Sequence, residues 1–192
     1  GLTPIPALPP DTRAPLARDA VQQLPGSRLR ALANRAMGRD DVLAFWFGEA
    51  SRETDARIRD AATRSLAAGE TFYSPNLGIA DLREAIAAYT RDLHGAAAPA
   101  LGADRVAVTS SGVSGLMLAM QTIVGPGDRV VAVTPLWPNL TAIPALLGAT
   151  LEPVSLAVRD GRWWLDLDRL LAALTGSTRL LILNSPANPT GW

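Results

Sequence analysis

The chain has 192 residues, with eighteen basic and eighteen acidic side chains, so its formal charge is zero with the single His94 neutral. All the basic residues are arginine and cysteine is absent, which leaves no electrostatic case for nucleic acid or an anionic membrane and excludes disulfides and thiolate metal sites. Apolar residues at 48% and charged residues at 19% predict a packed core, and the lack of both a leader-like N-terminus and a membrane-length apolar run reads as a soluble, cytoplasmic protein.

The first 25 residues carry Pro4, Pro6, Pro9, Pro10, Pro15 and Pro25. Each removes a backbone donor, so this stretch is expected to be an extended arm, either a flexible terminus or a strap across a partner subunit. Over residues 54–69 the positions Ile58, Ala61, Ala62, Ser65 and Leu66 follow helical spacing, with Thr54 as the expected cap and Gly69 as the stop. Ile79, Leu82, Ile86, Tyr89 and Leu93 form the stripe of a second helix ending at Gly95. Between them Pro75 and Gly78 dictate a loop.

Beyond Pro99 the rhythm changes. Residues 105–109, 129–134, 150–154 and 178–183 read as short β-branched strands, and 113–123, 140–147 and 167–174 as the helices between them. Near-continuous apolar strands with helical crossovers predict an α/β fold: a three-layer sandwich whose mostly parallel, doubly wound sheet is covered on both faces.

In such sheets ligands collect beyond the carboxyl ends of the strands, and three segments fall there. Thr109-Ser-Ser-Gly112-Val113-Ser114-Gly115 follows a strand and opens a helix, so unpaired amides at Val113 and Ser114 and the Ser114 hydroxyl suit a phosphate. A Ser/Gly turn that only caps its helix reads equally well. Thr134-Pro-Leu-Trp137-Pro-Asn139 offers an indole face to a heteroaromatic ring, although loop tryptophans often simply plug a core edge. In Leu183-Asn184-Ser-Pro186-Ala-Asn188-Pro189-Thr-Gly191 the proline steps are expected to hold Asn184 and Asn188 extended, with carboxamides able to donate to a phenolate oxygen; a plain turn is the alternative. Nucleotide fingerprints are absent: no G-x-G-x-x-G follows a strand, and a lysine-containing phosphate loop is impossible.

Taken in this order, the segments resemble the class I/II aminotransferases, the fold-type I pyridoxal-phosphate enzymes. Val42-Leu-Ala-Phe-Trp-Phe-Gly48-Glu is similar to that family's substrate-side glycine segment, and Gly69-Glu-Thr-Phe-Tyr73 with Gly78-Ile-Ala-Asp-Leu-Arg83-Glu-Ala to its tyrosine loop and following helix. Gly125-Pro-Gly-Asp-Arg-Val is similar to the turn before a strand, so the likeness covers roughly residues 40–192. The resemblance implies that Gly112, Val113 and Ser114 bind the phosphate of pyridoxal 5'-phosphate, that Trp137 stacks on its ring and that Asn188 bonds its phenolic oxygen. It implies further that Tyr73 reaches the phosphate of the other subunit in a homodimer and that Gly48, with Asn188, lies near the substrate.

The same resemblance implies an aminotransferase acting on amino acids and 2-oxo acids. A fold-type I lyase or decarboxylase, or a non-catalytic binding or regulatory protein, stand as alternatives. The family also uses a ring-nitrogen aspartate, a tyrosine, a Schiff-base lysine and a carboxylate-binding arginine, none with a counterpart here. The sequence contains no lysine, so no catalytic residue is assigned and the chain alone is expected to be inactive. It reads as the N-terminal portion of a longer enzyme, with residues 1–50 as arm and part of a small domain and 51–192 as part of the cofactor-binding domain. His94 is expected at a helix end, Asp166 as a cap, Asp168 in a solvated or capping role, and Trp163 and Trp164 packed on the sheet. Phe45 and Phe47 are read as packing residues, and Trp46 either as one or as a wall of the substrate pocket.

Overall fold

The structure, a computed structural model, describes residues 16–97 and 100–192. In chain order the elements are α1 (Asp19–Gln22), α2 (Arg28–Ala36), α3 (Ala56–Ala67), α4 (Ala80–His94), α5 (Gly112–Gln121), β1 (Arg129–Thr134), α6 (Pro138–Leu146), β2 (Thr150–Ser155), β3 (Ala157–Arg159), β4 (Arg162–Trp164), α7 (Leu167–Ala173) and β5 (Thr178–Ile182). They fall into two compact units, Ser27–Leu118 and Ala119–Trp192, the second joined by residues 16–26.

The second unit is built on a three-stranded sheet of order β2-β1-β5, with both pairings parallel. The sequence Arg-Val-Val-Ala-Val-Thr puts β1 in the centre, where both faces are covered: Val130, Val131 and Ala132 have no exposed surface. Val131 and Val133 pack with Val154, Leu156, Leu170 and Ala173, so α7 covers that face. Alternate side chains point to opposite faces of a strand, and α6 packs against β2 with Leu140, Ile143 and Pro144 buried. Pro153, which has no N–H to donate, is paired opposite Ala132 on the edge strand β2, where a missing donor is tolerated. On β5 the register skips Arg179, whose Nε donates instead to the Ile123 carbonyl at 2.7 Å.

Arg129 ties the start of this sheet together. Its Nη1 donates to the Ala173 carbonyl at 2.7 Å and to Thr178 Oγ1 at 2.6 Å, and its Nη2 pairs with Glu152. Asp166 caps α7 as expected, accepting from the Arg169 amide at 3.0 Å.

Trp163 and Trp164 do not simply lie on the sheet. They form β4, antiparallel to β3, and the Arg159 guanidinium sits 3.1 Å from the Trp164 ring centroid. The two-residue turn is Asp160-Gly161, with φ of 50° and 72°, the pairing of positive angles that matches hairpin twist.

Residues 1–15 of the proline-rich arm lie outside the described residues. In the remainder the expected extended chain is corrected: α1 forms because no proline interrupts residues 16–24, and Gln23 N–H reaches the Asp19 carbonyl at 2.9 Å.

In the unit Ser27–Leu118, α2 is a helix that the sequence pattern did not announce, capped by Ser27 Oγ accepting from the Arg30 amide at 3.1 Å. The α3 cap is Asp55 rather than Thr54. Its carboxylate accepts from the Arg57 amide at 2.9 Å, and Gly69 ends the helix region at φ 76°. In α4, Ile79 is the N-cap and Gly95 follows His94 at φ 51°.

The strand expected over residues 105–109 is also corrected. A 3₁₀ turn occupies Ala103–Arg105, and the extended residues after it have no ladder neighbour among the described residues. They are held from the side instead. Val108 N–H donates to the Leu77 carbonyl at 2.9 Å, and Arg83 donates to the carbonyls of Val106 and Ala103 at 2.9 and 2.5 Å. At Gly78, φ is 95° and an added Cβ would stand 2.6 Å from Val108 Cγ2, so only glycine fits both the angle and the approach.

Candidate functional site

The strand order reverses at β1: the chain moves from β1 to β2 on one side, then returns to add β5 on the other. Loops leaving adjacent parallel strands at such a reversal diverge and leave a crevice at the carboxyl ends. The two loops here are those expected from the sequence. One runs from Thr134 into Trp137, and the other from Ile182 through Asn184 to Asn188.

Trp137 is half-buried and is the N-cap of α6, at φ −56° and ψ 127°. Pro138 explains this local form: a residue before proline is kept extended, and proline suits the first helical position because its missing N–H has no helical partner. The indole is therefore carried on a defined bend at the helix entry.

Asn188 and Asn184 differ in environment. Gly191 N–H closes a turn over residues 188–190 by donating to the Ala187 carbonyl at 2.7 Å, so the loop is folded where an extended course was expected. Asn184 is half-buried, and its Oδ1 accepts from the Asn188 amide at 2.8 Å. Asn188 is exposed, and its carboxamide has no hydrogen-bond partner among the described residues.

The start of α5 belongs to the unit Ser27–Leu118. Ser111 Oγ accepts from the Ser114 amide at 3.1 Å, the spacing of an N-cap. An unpaired amide at Ser114 is thus corrected, while the Gly112 and Val113 amides have no partner among the described residues. The Ser114 hydroxyl stands 3.2 Å from Ser110 Oγ and 3.0 Å from Ser111 Oγ. This yields three neighbouring hydroxyls above two free amides at a helix start. The capping reading of this Ser/Gly turn thus holds at Ser111, and the Ser110 and Ser111 hydroxyls add to the donors expected from the sequence.

Such a donor set, rich in N–H and O–H groups and without a carboxylate, fits a phosphate. A free carboxamide and an indole at strand ends fit an aromatic ring bearing an oxygen. Tyr73 lies fully exposed in the loop between α3 and α4, and Gly48 lies exposed in the irregular segment after α2. Among the described residues, no three His, Asp or Glu side chains gather as a metal site.

The sequence profile described as aminotransferase class I and II matches residues 41–192. The chain belongs to this family. The aspartate aminotransferase of Pyrococcus horikoshii is 32% identical over 166 residues, covering 86% of this chain and 41% of that protein. The aspartate/prephenate aminotransferase of Thermus thermophilus is 34% identical over 162 residues, covering 84% and 41%.

Among solved structures, the aspartate aminotransferase from Thermus thermophilus with maleate matches with a TM-score of 0.81 at 30% identity, over 90% of this chain and 45% of that one. The fold is that of a fold-type I aminotransferase, of which this α/β unit is part. The chain spans about 41% of the length of the first curated relatives it matches. Members of the class I and II family generally depend on pyridoxal phosphate. The relatives are aminotransferases, which leaves neither the lyase or decarboxylase reading nor the non-catalytic one favoured.

Proposed function

We propose that the whole protein is a pyridoxal-phosphate-dependent aminotransferase, moving an amino group from an amino acid to a 2-oxo acid as a homodimer in the cytoplasm. In this reading residues 1–50 serve as arm and part of a small domain, and 51–192 as part of the cofactor-binding domain. One observation carries it: within the family match, the loops bearing Trp137 and Asn188 leave adjacent parallel strands where the strand order reverses.

Gly112 and Val113 take the phosphate through main-chain amides and Ser114 through its hydroxyl, supported by the start of a ten-residue helix. Trp137 lays its indole on the ring, an offset stack worth about 0.5 to 1.5 kcal/mol beyond the area it buries. Asn188 donates from Nδ2 to the phenolic oxygen and stays uncharged while doing so. Tyr73, which no neighbour among the described residues covers, reaches the phosphate held by the partner subunit, and Gly48 leaves room for the substrate carboxylate.

When bound, the cofactor supplies an electron sink for the charge left at the substrate α-carbon. This sequence has no lysine. Its residues therefore serve to bind and orient, and the covalent hold on the cofactor and the proton transfer at the α-carbon belong to the whole protein.

The full-length protein given an amino acid but no acceptor should release one equivalent of 2-oxo acid per cofactor site and then stop. Release without that limit, or none, overturns the assignment. Trp137→Ala should weaken cofactor binding about tenfold, the equivalent of roughly 1.4 kcal/mol, with the fold unchanged by circular dichroism.

A further inference from the structure

The loop carrying Asn188 is closed by main-chain bonds at Ala187 and by two side chains, Asn184 and Thr190, the latter accepting from the Trp192 amide at 3.3 Å. Ala187 is buried, donates to the Trp192 carbonyl at 2.8 Å and accepts from Gly191 at 2.7 Å. The next amide, that of Asn188, is met by Asn184 Oδ1 at 2.8 Å. A main-chain N–H needs an acceptor, so the Asn184 carboxamide is oriented by its partner, with its oxygen toward Asn188. The Asn184 acceptor is committed to the backbone. Asn188 keeps both groups of its own carboxamide free among the described residues.

An asparagine side chain has only two rotatable bonds, so the backbone at its Cα fixes the small set of positions its donor can reach. The bond from Asn184 holds the amide immediately before that Cα. We infer that Asn184 is a positioning residue, holding the backbone of Asn188 so that the Asn188 carboxamide meets the ring oxygen of the cofactor. This rests on the role given to Asn188 under the proposed function. It assigns Asn184 no contact with the cofactor.

The test uses the full-length, cofactor-loaded protein and follows the pH midpoint of the bound cofactor's visible absorption in Asn188→Ala, Asn184→Ala and the double variant. A donor to the ring oxygen favours its anionic form, so losing that donor raises the midpoint. Asn188→Ala should raise it by roughly half to one pH unit, the scale of one hydrogen bond. Asn184→Ala should raise it in the same direction by less. The double variant should match Asn188→Ala alone, because a group acting only through another adds nothing once that other is gone.

A second readout needs no cofactor. Deuterium exchange at the Asn188 amide should accelerate in Asn184→Ala and return to the parent rate in Asn184→Asp, which keeps an acceptor. Additive midpoint shifts would show that Asn184 touches the cofactor itself and overturn the inference. A midpoint that moves with Asn188→Ala but not with Asn184→Ala, or unchanged exchange in Asn184→Ala, overturns the positioning role alone. A midpoint indifferent to Asn188→Ala removes the ring-oxygen role and the positioning role together. Failure of the parent protein to take up pyridoxal phosphate sinks the functional reading instead.

Discussion

The sheet unit and the helical unit both carry regularly placed apolar residues and treat them differently. In the sheet unit β1 contributes Val130, Val131, Ala132 and Val133 to a core closed by α7 and α6. In the helical unit α3 has no buried residue, and Ile58 and Leu66 on its apolar stripe stay exposed, as do Leu82, Tyr89 and Leu93 on α4. Periodicity marks which side of an element can be buried. A second layer must still be present before burial stabilises anything.

The strongest way to break this contrast is to truncate one apolar residue in each unit. Val131 has no exposed surface, whereas Leu66 is 67% exposed. Val131→Ala should cost about 2 to 3 kcal/mol, from lost transfer energy plus the cavity left behind, and Leu66→Ala about 0.5 kcal/mol or less. Chemical denaturation measures both, and equal costs would erase the distinction.

Glycines sharpen the comparison within the helical unit itself. Gly78→Ala meets Val108 Cγ2 at 2.6 Å as well as a positive φ of 95°, while Gly69→Ala meets only a φ of 76° in open space. The first should destabilise by about 2 kcal/mol and the second by about 1 kcal/mol, read from thermal or denaturant midpoints.

The smallest effect concerns the α3 cap. The Arg57 guanidinium, and then the Arg57 amide, hold the Asp55 carboxyl below its ordinary range. A carboxyl with a depressed folded value contributes above its unfolded value and loses that contribution as pH falls through the folded one. Amide exchange in the first turn of α3 should therefore speed up, relative to the intrinsic rate, only in acid below the ordinary aspartate range. Asp55→Ala should show that faster exchange at neutral pH too.

Several features were legible in the residues alone. Arg129-Val-Val-Ala-Val-Thr has the continuous β-branched run of a central parallel strand, and Asp166 before Leu167 carries its own cap. The hairpin of β3 and β4 was legible too and was overlooked, for Asp160-Gly161 between short strands is a local signal. The α3 cap lay one residue from its expected place, because Thr54 and Asp55 both have capping side chains and only geometry selects one.

The sequence by itself determined β1, β2, β5 and the helices α3 to α7, the family and the segments that carry Trp137, Asn188 and Ser114, since these depend on local backbone preference and on ordered short motifs. The tertiary structure decided which apolar stripes are buried and that residues 106–109 run extended without a strand partner among the described residues. It also decided that Asn184 serves the backbone while Asn188 stays free. Those outcomes depend on what stands opposite a residue in space. Periodicity along the chain carries no information about a neighbour that arrives from far away in sequence.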